Sequence, residues 1–337
     1  MSSLSNRTFS FWAFWITTGF LALSQAGAGM LYFVADAPAD TFAALGFGDA
    51  FRWLLGAAKL IGAGLLVAPV ARFLKEWAYV GFALTFSLAI LAHTMAGDPA
   101  GSLWAPGISL GVLILSYVLF RMRRADAQDG HSPGTMARLL WSIAGMVGLV
   151  LVWGAGRTLY IIYGGGHPHL EAYASDAVWI GGAVAVVVVV TVGLSSLYHM
   201  IHRSESPRSA PSLMQRSLSG LLALIMAALG VGALVAAYGH PLIETVSALG
   251  VPPYMLIVIG VAKITAAVGL VLPLPRAMKE WVYFGTLATA VAAAWLSAWA
   301  QQPIQDILVP LGVMGLWSGA YGYAHLSTLR LSNTTAR

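Results

Sequence analysis

The sequence predicts an all-α integral membrane protein of ten transmembrane helices, with two parallel four-helix units flanking a two-helix insert. Three observations carry that expectation. First, of 337 residues 58% are hydrophobic and 9% charged, and the mean hydropathy is +0.78. A soluble domain carries about 25% charge, so this chain cannot cover a water-facing surface. Second, apolar runs long enough to span a bilayer recur along the chain. Third, one block is written twice, 204 residues apart. Gly56-Ala57-Ala58-Lys59, Pro69, Arg72 and Lys75-Glu76-Trp77-Ala78-Tyr79-Val80-Gly81 return as Gly260-Val261-Ala262-Lys263, Pro273, Arg276 and Lys279-Glu280-Trp281-Val282-Tyr283-Phe284-Gly285.

The runs lie at roughly 10–34, 51–70, 77–96, 104–122, 138–163, 176–201, 218–238, 252–273, 281–299 and 306–328. An α-helix needs about 20 apolar residues to cross. The runs do not alternate in polarity and are too long for barrel strands. Lys and Arg give the orientation. They occur in the N-terminal tail (Arg7), the turn 71–76 (Arg72, Lys75) and the loop 121–137 (Arg121, Arg123, Arg124). They occur again in the loop 202–217 (Arg203, Arg208, Arg216), the turn 274–280 (Arg276, Lys279) and the C-terminal tail (Arg330, Arg337). The intervening loops 35–50, 97–103, 164–175, 239–251 and 300–305 hold none. The alternation is unbroken, so both termini are expected on the cytoplasmic side of a bacterial-type inner membrane. The N-terminal run resembles a signal peptide, with Arg7 before it and small residues at Ala26-Gly27-Ala28, but from Phe9 to Phe33 it is long for a signal core. It occupies the place of 219–238 in the second copy, and it is read as a retained span.

Two polar, Pro- and Gly-containing stretches, 124–136 and 204–213, read as linkers. The expected division is 1–123 for the first unit, 124–203 for a linker and two-helix insert, and 204–337 for the second unit. An even number of helices per unit with an even insert makes the copies parallel, unlike inverted-repeat transporters.

The positions shared by the copies fall on helix faces. Gly56, Lys59, Ala63 and Leu66 match Gly260, Lys263, Ala267 and Leu270, spaced as one face of a helix. Trp77, Gly81, Thr85 and Ala89 match Trp281, Gly285, Thr289 and Ala293, and Pro106, Gly111 and Tyr117 match Pro310, Gly315 and Tyr321. Small residues let membrane helices approach closely, so these faces are expected to pack inside each bundle.

Each copy resembles a DoxX-like four-helix membrane domain, over about two thirds of the chain. The resemblance lies in the small-residue lysine helix (Ala58-Lys59-Leu60-Ile61-Gly62-Ala63; Ala262-Lys263-Ile264-Thr265-Ala266-Ala267) and in the Lys-Glu-Trp-x-Tyr-x-Gly turn. It lies also in Asp98-Pro99 closing the third helix, and in Ala44-Leu45-Gly46 and Ala248-Leu249-Gly250. The second copy departs with Gln302-Pro303 for Asp98-Pro99 and Ser297 for His93, and the central pair has no recognised counterpart. What the resemblance implies is broad. Some members belong to thiosulfate:quinone oxidoreductases, some are linked to quinone or thiol stress, one animal branch assists receptor assembly, and most have no assigned activity.

The sharpest candidates are Lys59, about eight residues or about 12 Å into its helix, and Lys263, about eleven residues in. An ionisable residue at that depth costs at least about 2.5–3.5 kcal/mol on insertion scales and is a functional hypothesis by default. The competing reading is a lysine that snorkels or bonds a neighbouring helix carbonyl. Gln25 and Thr85 are the available polar partners in the first copy, and Thr289 in the second. Tyr117 and Tyr321 complete the candidate ligand-binding set. The lysines could hydrogen-bond a quinone carbonyl or hold a lipid phosphate or small anion.

His167, His169 and Glu171 form the one cluster of metal-ligand types, but metal sites need three or four convergent ligands, and a plain polar loop is the favoured reading. His93 could meet Asp98. Tyr198, His199 and His202 are spaced like a haem face, with His325 as the distant partner that haem would require. Arg157 is expected to snorkel. In the Lys-Glu-Trp turn the basic residues set topology, the Glu favours the positive end of the next helix, and the Trp sits at the interface.

The chain has no Cys, which excludes structural disulfides, thiol relays and Cys-ligated metal centres. The net charge of +5 is spread over loops and is no nucleic-acid footprint. No phosphate loop, Ser–His–Asp set or pair of intramembrane carboxylates is visible, and no catalytic residue is assigned. No covalently bound cofactor is expected, and quinone or lipid are the non-covalent candidates. Three functions remain: a redox-associated quinone-binding membrane protein, a non-catalytic subunit or assembly factor docking membrane or peripheral subunits, and a small-molecule transporter. Membrane lipid is a partner in all three.

Overall fold

The computed structural model describes residues 2–128, 213–237 and 242–334, and every element among them is helical. The chain divides into two units, Met1–Val150 and Leu151–Arg337. In the first, α1 is Ser2–Val34, α2 Asp36–Ala44, α3 Asp49–Val67, α4 Arg72–Met95 and α5 Trp104–Gln128, with a 3-10 turn at Ala100–Leu103. In the second, α6 is Leu213–Ala237, α7 Leu242–Ala248, α8 Met255–Val271, α9 Arg276–Trp299 and α10 Ile304–Thr334. The expected insert helices, 138–163 and 176–201, lie outside the described residues, as do Arg157, His199 and His202.

Six of the described helices are long and apolar enough to cross a membrane. The apolar part of α1 meets the test jointly with α2, to which it is bent by 86°, and α8 is a shorter apolar helix of 17 residues. Large apolar side chains such as Leu23, Val34 and Leu224 are more than 70% exposed, as expected of a surface solvated by lipid tails.

Within each unit the long helices close a ring. In the first, α1 packs on α3 and α5, α3 on α4, and α4 on α5; in the second, α6 packs on α8 and α10, α8 on α9, and α9 on α10. Lipid supplies no hydrophobic drive between helices, so packing and interhelical hydrogen bonds hold such a ring. Backbones approach closely at paired glycines. A Cβ on Gly29 would lie 2.9 Å from the Gly56 carbonyl oxygen, and one on Gly230 would lie 2.8 Å from that of Gly260. These contacts align α1 with α6 at an offset of 201, three residues short of the offset in the other helices.

The loop 35–50 is not simply a loop, because α2 forms within it. Asp36 sits in its first turn, where a carboxylate favours the helix dipole. Buried Phe42 anchors it with ring centroids 5.0 Å from Tyr32 and 6.2 Å from Phe47. The turns after α2, α4, α7 and α9 share one closure. The residue after a positive-φ position donates its N–H five residues back, as in Phe47 to Phe42 and Asp98 to His93. Gly46, Gly97 and Gly250 take that position at φ of 80°, 73° and 68°, and Gln301 takes it at 52°.

The lysine face of α3 packs as expected: Gly56, Lys59, Ala63 and Leu66 are all buried. The small-residue face of α4 does not. Trp77, Gly81, Thr85 and Ala89 are half-buried, while the core is filled by Glu76, Tyr79, Phe82 and Phe86. The same holds in α9, where Glu280, Tyr283, Thr286 and Ala290 are buried beside the stripe of Trp281, Gly285, Thr289 and Ala293. In α5, Tyr117 is buried and Gly111 is open to the surroundings. In α4 the aromatic rings fill the interior, which small residues would leave void, and in α9 Tyr283 does so beside the smaller Thr286 and Ala290.

Candidate functional site

The Gly29–Gly56 approach brings α1 against the middle of α3 and encloses Lys59. Its Nζ donates to Gln25 Oε1 at 3.1 Å and stands 4.7 Å from the centre of the Tyr32 ring. A cation over an aromatic face is attracted by the ring quadrupole. Tyr32 is itself held in place. Its carbonyl oxygen accepts from Arg52 Nη1, its ring packs edge-on against Phe42, and Arg52 in turn donates to Asp49 Oδ1 at 2.7 and 3.0 Å. Arg52 thereby satisfies a carbonyl of the last turn of α1, which has no partner within its own helix. Lys59, Gln25 and Arg52 are all less than 8% exposed.

The other sequence candidates lie elsewhere. Thr85 Oγ1 donates to Gly81 O in its own helix at 2.9 Å, and Thr289 Oγ1 to Thr286 O at 3.0 Å. Neither reaches a lysine. Tyr117 and Tyr321 donate to Glu76 Oε2 and Glu280 Oε2, each at 3.0 Å. Each belongs, within its own unit, to a second cluster at the end of the helix that carries the Lys-Glu-Trp turn. There Glu76, 1% exposed, also meets Arg121 Nη1 at 3.3 Å and Arg72 Nε at 3.7 Å. The glutamate is therefore not a surface group facing its own helix terminus. One turn into α4, it points inward and ties α4 to α5. Its neighbour Lys75 donates to Leu65 O and Leu66 O at 3.3 and 2.7 Å, and Lys279 donates to Gly269 O and Leu270 O at 2.9 and 2.6 Å. Each lysine caps the C-terminal carbonyls of the preceding helix, where a cation also suits the dipole. The twice-written turn is thus a structural latch.

Between the two clusters runs a chain of buried hydroxyls. Thr18 Oγ1 and Ser116 Oγ are 2.7 Å apart, and Ser116 Oγ and Tyr79 Oη are 2.9 Å apart. His93 Nδ1 lies 2.6 Å from Asp98 Oδ2, joining the pair that the sequence brought within reach. Sequence reasoning missed Tyr32, Arg52, Asp49 and the inward turn of Glu76. The repeated interval from Glu76 to Tyr117 and from Glu280 to Tyr321 was the available signal for the last.

The second unit repeats the latch but not the lysine site. With α1 aligned to α6 by the glycine contacts, Gln25 corresponds to Met226 and Tyr32 to Ala233. With α3 aligned to α8, Asp49 corresponds to Pro253 and Arg52 to Leu256. Lys263 is only partly buried, and among the described residues it has no polar or ring partner. Among the described residues no group of three or more His, Asp or Glu converges as for a metal. His167, His169 and Glu171 lie outside them.

A family model described as the DoxX-like family matches residues 16–117 and again 217–320. No curated protein and no solved structure matches the chain.

Proposed function

The chain belongs to the DoxX-like family in both of its units, and on that premise we propose that it is a redox-associated membrane protein binding a quinone, or another lipophilic or anionic ligand, at a mid-helix lysine, with Lys59 and Lys263 as the two candidate positions. That it is an integral, multi-pass membrane protein follows from the family and the apolar helices. The proposed topology has ten spans, two parallel four-helix units around a two-helix insert, and both termini on the cytoplasmic side of an inner membrane. The alternation of positive and non-positive loops supports it.

One observation carries the ligand reading. Lys59 sits at the middle of the 19-residue α3, and among the described residues no carboxylate pairs with it. An ammonium has three N–H donors. One goes to Gln25, and the Tyr32 ring faces the charge without accepting a conventional bond. A ligand oxygen would use a remaining donor and offset part of the cost of an ionisable group at that depth. A redox role needs a partner to supply the electron-transfer centre, because the chain has no recognisable motif for one.

The test is retention. Wild type and the double variant Lys59→Met/Lys263→Met are purified in mild detergent, and co-purifying quinone and lipid are extracted and quantified. The double variant is expected to keep the melting profile of the wild type and lose the ligand. Equal retention in both proteins would sink the reading.

A further inference from the structure

We infer that the ligand site is confined to the first unit, where Gln25 and Tyr32 position the Lys59 ammonium toward an acceptor oxygen on a lipophilic molecule, and that the Lys263 helix is its structural echo. The inference rests on the proposed ligand reading and assigns that reading to one of two lysines.

The two units differ at equivalent places. Both units keep what holds a bundle together: the close glycine pairs Gly29–Gly56 and Gly230–Gly260, the capping lysines Lys75 and Lys279, and the Tyr117–Glu76 and Tyr321–Glu280 bonds. The residues around the mid-helix lysine divide the other way. In the first unit Asp49 holds Arg52, Arg52 holds the Tyr32 carbonyl, and the Tyr32 ring and the Gln25 amide meet Lys59. In the second unit the corresponding residues are Pro253, Leu256, Ala233 and Met226. All four polar or aromatic members are replaced, and none of the replacements can hydrogen-bond a ligand through its side chain except weakly through the Met226 sulfur. A lysine without fixed partners spreads over several rotamers and loses more freedom when a ligand fixes it. Lys59 starts oriented, with its charge in a buried polar setting.

The ligand chemistry follows from the same groups. One N–H donor beside an aromatic face suits a single acceptor oxygen on a flat or chain-like apolar body. A neutral quinone carbonyl and a fatty carboxylate share that chemistry. The two probes are therefore decylubiquinone and oleate, each titrated separately against full-length protein in nanodiscs.

One probe is expected to bind at one molecule per chain, and which one it is identifies the source of the oxygen. Lys263→Met leaves affinity and stoichiometry unchanged, and Lys59→Met abolishes binding. Gln25→Met installs the residue that the equivalent interface already tolerates as Met226, so the bundle is expected to fold. It weakens binding about ten-fold, the scale of one buried hydrogen bond to a charged group. The reciprocal variant Met226→Gln/Ala233→Tyr raises the stoichiometry to two, which a purely structural role for these residues would not do. Two molecules per wild-type chain, or loss on Lys263→Met with Lys59→Met silent, overturns the assignment and leaves the lysine-ligand reading standing. A reciprocal variant that stays at one molecule overturns the role given to Gln25 and Tyr32. Binding of neither probe, or binding indifferent to both lysines, overturns the reading and the inference together.

Discussion

The Tyr117 hydroxyl donates to the Glu76 carboxylate at 3.0 Å across 41 residues of sequence, and Glu76 is 1% exposed. Tyr321 and Glu280 repeat the contact at the same distance and separation in the second unit. A buried carboxylate also held by Arg121 and Arg72 is a point where several helices depend on one group.

Removing that group should therefore cost more than removing one of its partners. Tyr117→Phe deletes one interhelical hydrogen bond, for which membrane proteins show about 0.6 kcal/mol on average and up to about 1.7. Glu76→Ala leaves Tyr117 and Arg121 without their acceptor and should cost about 2–4 kcal/mol. Reversible unfolding in mixed detergent micelles measures both. A Glu76→Ala loss no larger than that of Tyr117→Phe would show that the carboxylate is not what holds α4 to α5.

The glycine pair makes a second prediction. Gly29→Ala places a methyl 2.9 Å from the Gly56 carbonyl oxygen and 3.2 Å from Lys59 Cβ, neither of which is the flexible end of a side chain. The helices must separate, at a cost of about 1–3 kcal/mol. Gly27 lies on the exposed side of the same helix with nothing within 4 Å, so Gly27→Ala should stay within about 0.5 kcal/mol. Thermal melting of the two variants side by side tests the contrast, and similar melting points would deny the close approach of α1 and α3.

The third prediction concerns orientation. The chain has no cysteine, so a single introduced thiol reports one place. Asp40→Cys, on exposed α2, should react with an impermeant maleimide on intact cells. Ala71→Cys, in the basic turn before α4, should react only after permeabilisation. The opposite labelling pattern would invert the proposed topology.

The helices were legible because a membrane span is a one-dimensional property. The runs 51–70, 77–96 and 104–122 became α3 (Asp49–Val67), α4 (Arg72–Met95) and α5 (Trp104–Gln128), with ends displaced by a few residues. The lysine face of α3 was legible for a related reason, since its period and its repetition both mark one side of a helix. The face of α4 was not. Its repeated small residues pointed to Trp77, Gly81, Thr85 and Ala89, yet the adjacent aromatic stripe fills the interior. Which of two neighbouring stripes turns inward depends on the volume left by the other three helices, and a single helix does not contain that volume.

The site divides in the same way. By itself the sequence determined the class of protein, the tandem family units and the presence of a lysine in the middle of two apolar runs, because apolar length, loop charge and repetition are all carried along the chain. Only the tertiary structure decided that Lys59 meets Gln25 and Tyr32, that Arg52 secures the Tyr32 backbone, and that Glu76 turns inward. Those contacts join residues separated by 20 to 41 positions on different helices, and interhelical packing sets them. Packing also separates the two lysines: the helices around Lys59 present an amide and a ring, whereas the aligned positions around Lys263 hold a methionine and an alanine.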